Sequence, residues 1–149
     1  MVKNLKVNSL NKKLDKLFFH KLLLKLKKDL NFELDSLLLN FVSSAEILKI
    51  NNKFLNHNYS TDIITFNYSE KCLVFDAEIY ISLQDAEKNA KKYRISLEQE
   101  LLRLVIHGVL HLLGYDDMSG KERIVMKKME NTLVNKYIFL SSKKSGYLW

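Results

Sequence analysis

Two histidines four residues apart, His107 and His111, are followed by Gly114 and Asp117. No other segment constrains the fold as tightly. On a helix, positions i and i+4 lie one turn apart on one face, which lets two imidazoles reach one metal ion. A glycine three residues later can end the helix in a left-handed cap and turn the chain back. Asp117, six residues past His111, can then meet the same ion. Two histidines and one carboxylate leave a fourth position for water, as catalytic zinc sites do, and zinc lowers the pKa of bound water to about 7. Asp116 offers a second carboxylate. Either aspartate could instead serve only the turn. His20 and His57 have no comparable context. The metallopeptidase pattern H-E-x-x-H places a general-base Glu after the first His, and here that position holds Gly108.

The rest of the chain reads as mixed α and β. Residues 9–28 have the spacing of an amphipathic helix, with Leu10, Leu14, Leu17, Phe18, Lys21 and Leu24 on one side. The run Ser36–Ser43 reads as a strand buried on both faces, and Ser44 as the N-cap of a helix to about Leu55. Thr61–Asn67 and Leu73–Ile81 read as antiparallel strands joined by a turn at 68–72. Ser82 opens a polar helix to about Arg94, and Ser96 caps the histidine helix, which ends near Gly114. Ser119 and Glu122 form a capping box for a last helix, about 120–136, with an apolar stripe of Ile124, Met129 and Leu133 and Val125 nearby. The tail from Leu140 gives no clear signal. With no repeat and no linker, residues 1–149 read as one domain.

The net charge of +7 favours a polyanionic partner, although the Lys- and Asn-rich usage also arises from AT-rich codons. No apolar run is long enough to span a membrane, and the N-terminus lacks a secretory pattern. A single cysteine, Cys72, forbids an intrachain disulfide and fits a reducing cytoplasm.

The segment His107-Gly-Val-Leu-His-Leu-Leu-Gly-Tyr-Asp116 resembles the H-G-x-L-H-L-x-G-Y-D signature of the bacterial YbeY endoribonucleases. Thr61-Asp-Ile-Ile-Thr-Phe66 resembles the family's T-D-V-L-S-F, and Ala77-Glu-Ile-Tyr-Ile-Ser82 its G-D-I-x-I-S. Ile50, Asn51 and Phe54 resemble its L-N-x-x-Y, and order and spacing agree from about Ser36 to Glu130. The resemblance implies an α+β, zincin-like fold with a small mixed sheet and surrounding helices. It implies one zinc per chain on His107, His111 and Asp117, with the two histidines catalytic. The implied activity is single-strand endoribonuclease work in 16S rRNA 3′-end maturation and ribosome quality control. The partners would be rRNA and ribosomal particles, in the cytoplasm, with no membrane and no small-molecule cofactor. Arg103, Tyr115, Thr61 and His57 are the expected substrate contacts. Two columns depart from the family: Asp117 stands where a third His is usual, and Leu55 where an arginine follows L-N-x-x-Y. A non-catalytic rRNA-binding assembly factor with a structural metal and a metallopeptidase are the competing readings.

Overall fold

A computed structural model of the protein describes residues 1–55 and 61–141. The chain runs β1 (Leu5–Ser9), α1 (Lys16–Leu30), β2 (Glu33–Val42), α2 (Ser44–Leu55), β3 (Ile63–Asn67), β4 (Val74–Ser82), α3 (Leu83–Tyr93), α4 (Leu97–Leu112) and α5 (Gly120–Tyr137). The four strands form one mixed sheet in the order β1-β2-β4-β3. β1, β2 and β4 are parallel, and β3 closes one edge antiparallel to β4, with Ile63 opposite Ile81 and Asn67 opposite Ala77. The α+β class and the small mixed sheet are as expected, as is the β3–β4 pairing.

Strand alternation sorts the sheet into two faces. Leu34, Leu37, Leu39 and Phe41 of β2, with Phe75, Ala77, Ile79 and Ile81 of β4, point into the main core beneath α1 and α4. The opposite face is only half covered: Ile47 and Ile50 of α2 pack on Ile64, with Val42, Phe66 and Tyr80 around them. β2 is therefore buried on one face and partly exposed on the other, not buried on both. Phe66 and Tyr80 serve this second cluster, whereas Tyr68 is largely exposed.

Two readings of the N-terminal part are corrected. Residues 5–9 form an edge strand, because Leu5 and Val7 alternate inward beside β2, and α1 begins only at Lys16 behind an Asp15 N-cap. Its buried stripe is Phe18, Phe19, Leu22, Leu23 and Leu26, while Leu10, Leu17 and Leu24 are exposed. A Leu/Lys-rich run offers two apolar stripes, and the pair of adjacent phenylalanines selects the one that buries more area. His20, on this helix, is buried and accepts a hydrogen bond from the Val2 N–H at 3.1 Å. Burial lowers its pKa, as does the nearby N-terminal charge.

Helix starts follow the side chains that cap them. Ser82, Ser96 and Ser119 accept from Asp85, Gln99 and Glu122 N–H, and the last two boxes are reciprocal. At α2 the cap is Ser43, whose Oγ accepts from Glu46 N–H, one residue earlier than expected. Ser44 instead donates from both N–H and Oγ to Gln84 Oε1, tying α2 to α3. On α5, Leu133 is buried as expected, but Ile124 and Val125 are exposed, and the inward side is Met126, Glu130, Leu133, Val134 and Tyr137. None of the helices described is long and apolar enough to cross a membrane.

Candidate metal centre

α4 enters the core on Leu101, Leu102, Val105, Ile106 and Val109, all fully buried. That burial fixes the helix's rotation and turns His107 and His111 to the partly open side. Gly108, between them, lies against the sheet. A Cβ there would come within 3.1 Å of Ile63 Cδ1 and 3.2 Å of Ile79 Cδ1. The close approach favours glycine at this position, because any side chain would make Ile63 and Ile79 give way.

The helix ends in a Schellman motif. Gly114 takes φ +104, the left-handed region, with its N–H on His111 C=O and the Tyr115 N–H on Leu110 C=O, both at 3.0 Å. Tyr115 packs back on the main core. Asp116 Oδ1 accepts the Asp117 N–H at 2.7 Å, so Asp116 shapes the turn while Asp117 points back at the helix. Asp117 Oδ2 lies 3.8 Å from His107 Nε2, and its Oδ1 lies 3.7 Å from His111 Nε2. One ligand atom from each of the three residues falls within a 4.8 Å span. Tetrahedral coordination at ~2.0–2.1 Å places neighbouring ligand atoms ~3.4 Å apart. The two aspartate–histidine distances are thus a few tenths of an ångström longer than a bound zinc would hold them, and the donor set fits.

Behind His107 stands Glu130, 5% exposed. Its Oε1 is 2.7 Å from His107 Nδ1, and its Oε2 accepts from Arg103 Nη1 at 2.7 Å and Lys127 Nζ at 3.2 Å. Burial alone would push this carboxyl up, but the hydrogen bonds from His107 and Arg103 reverse that and hold it at about 2. The bond to Glu130 raises the His107 pKa against the lowering effect of burial. With Nδ1 engaged by a carboxylate, the Nε2 lone pair faces the Asp117 side. Nothing in the local sequence points to Glu130. Its partner is 23 residues away on another helix.

A cleft of about 680 Å³ opens beside the trio, walled by β3, α3, α4 and α5. Asp62 and Glu100 line it, and burial is the main cause raising each carboxyl above its ordinary range. Asn89 donates to Glu100 Oε2 at 3.2 Å. A second, shallower groove of about 560 Å³ meets the trio from the α5 side, past Arg123, Ile124 and Lys127. The expected substrate contacts fall in different places. Arg103 lines the larger cleft, with its Nη1 engaged by Glu130 and Asn131. Tyr115 lines a separate small pocket with Asp116 and Lys121. Thr61 turns its Oγ1 onto Ile63 C=O at 3.3 Å, at the start of β3. His57 lies outside the described residues, and the side chain of Leu55 is likewise not described.

Comparison with known proteins agrees with this geometry. A relative from Chlorobium limicola, described as an endoribonuclease YbeY, is 42% identical over 106 residues, covering 71% of this chain and 73% of its own. One from Karelsulcia muelleri with the same description is 39% identical over 117 residues, covering 78% and 74%. The solution structure of a Thermotoga maritima protein superposes with a TM-score of 0.65 at 26% identity, over 95% of this chain and 93% of that one. The profile of the family described as endoribonuclease YbeY matches residues 2–138, nearly the whole described fold, and the chain belongs to that family.

Proposed function

We propose that this protein is a zinc-dependent endoribonuclease that prefers single-stranded RNA. It would act on rRNA in ribosomal particles, in 16S rRNA 3′-end maturation and ribosome quality control, in the cytoplasm. The observation that carries the reading is the convergence of His107, His111 and Asp117 at the meeting point of two open grooves, with a buried carboxylate behind the first histidine. Family membership supports RNA as the substrate, and the +7 charge suits a polyanion. Zinc held by the trio would supply Lewis-acid activation of water and of a phosphoryl oxygen.

The chain's own residues do the positioning. Glu130 fixes the His107 ring, and Arg103 and Lys127 hold Glu130 ionised. The Schellman turn carries Asp117 back over the helix end. Asp117 is 41% exposed at its side chain, so a phosphodiester can reach the site from solvent. The metallopeptidase reading has no carboxylate at Gly108 to act as base, and a Cβ there would press on Ile63 and Ile79. The test is cleavage of a labelled single-stranded RNA by zinc-loaded protein. Wild type should cut it, chelation should stop cutting, and His111→Ala should not cut at all. Undiminished cutting by His111→Ala would defeat the reading. Tight rRNA binding without cleavage would favour the assembly-factor alternative, to which the Leu55 departure lends support.

A further inference from the structure

The two grooves that meet at the trio differ in charge. The larger one is lined by Asp62, Glu100, Asp117 and Glu130 against Arg103 and Lys127, two more acids than bases. The α5-side groove sets Asp117 and Glu130 against Arg123 and Lys127, an even balance. Both grooves share the trio's His107 and Asp117, so a metal there offsets both alike. A polyanion is repelled less by the second. The cations also differ in availability. Arg103 Nη1 is drawn onto Glu130 and Asn131. Arg123 is exposed, and its Nη1 donates to the Asp117 carbonyl oxygen at 3.4 Å, which places the guanidinium beside the trio. Lys127, one turn further along α5, keeps 63% of its side chain exposed while touching Glu130 at 3.2 Å. Ile124 adds an apolar wall, 71% exposed, where an unstacked base could rest.

From this geometry we infer that the RNA backbone runs along the α5-side groove rather than through the larger cleft, with Arg123 and Lys127 holding the phosphates next to the metal centre. The inference rests on the endoribonuclease reading and sharpens it. Arg123 carries the stronger role, because a guanidinium can engage a phosphate through two parallel N–H bonds.

The test measures binding of a fluorescein-labelled single-stranded oligo(2′-O-methyluridylate) to zinc-loaded protein across a salt series. Removing one cation that neutralises a phosphate of a single strand lowers the slope of log affinity against log salt by ~0.7. The double variant Arg123→Ala/Lys127→Ala should bind more weakly, with a slope smaller by ~1.4, read on protein of matched zinc content because Lys127 also touches Glu130. Arg123→Lys should restore much of the slope, which a merely structural role would not do. An unchanged slope in the double variant, with wild type still cleaving RNA, would overturn the path and leave the endoribonuclease reading standing. Tighter binding by Glu100→Gln with no effect at Arg123 would place the strand in the larger cleft. A wild type that neither binds nor cleaves would overturn both.

Discussion

At the scale of single residues, Glu130 decides how well the metal centre is preorganised. A carboxylate on the far nitrogen of a metal-bound histidine sets the tautomer, aims the ring and raises its basicity, and removing such a partner weakens metal binding ~10–100-fold. Glu130→Gln keeps the shape but removes the charge that faces His107, Arg103 and Lys127. It should raise the zinc dissociation constant within that range in a chelator competition. Unchanged affinity would mean that the 2.7 Å contact does not orient the ring. The three candidate ligands were legible in the sequence, because their geometry is local: a helical turn, a glycine cap and a short return. Glu130 was not. Its contact is made across two helices, and long-range packing leaves no spacing to read. Asp62 and Glu100 escaped for the same reason, since each is an ordinary acid until the walls of the cleft come together.

At the scale of elements, α4 shows how packing and chemistry share one helix. Gly108 allows the close approach to β3 and β4 that brings the histidines to the cleft. Gly108→Glu would press its Cβ onto the Ile63 and Ile79 methyl groups and should cost about 1–3 kcal/mol in urea denaturation. A variant as stable as wild type would show that α4 can shift outward. Glu100, on the same helix, gives a pH test. Burial raises its pKa above the ordinary 4.5, with Asn89 and Arg103 pulling the other way. Its contribution is therefore fully present below the unfolded pKa and lost as pH rises through the folded one. Glu100→Gln should gain stability relative to wild type as pH rises above the ordinary carboxylate value, read as a widening difference in urea midpoint; a constant difference would contradict the shift. Caps and turn chemistry made α3, α4 and α5 readable within a residue or two. The faces of α1 and α5 were less so. Ile124 and Val125 look like core in a helical plot, and their exposure follows from where α4 lies, which one segment cannot reveal.

At the scale of the whole molecule, the four-stranded sheet is a platform that holds α4 against its antiparallel edge, so the metal centre sits at a border between core and solvent. The excess of lysine and arginine, net +7, suits a polyanion without specifying where one would bind. The mixed α and β class was legible from strand and helix periodicities, but β1 was missed because a five-residue edge strand carries only two inward residues, Leu5 and Val7. The central claim is that His107, His111 and Asp117 hold one zinc per chain. The most direct measurement is metal content by inductively coupled plasma mass spectrometry on tag-free protein supplied with zinc, wild type beside His111→Ala. The account predicts close to one zinc per wild-type chain and a large loss in the variant. Equal zinc in both, or none in either, would contradict it.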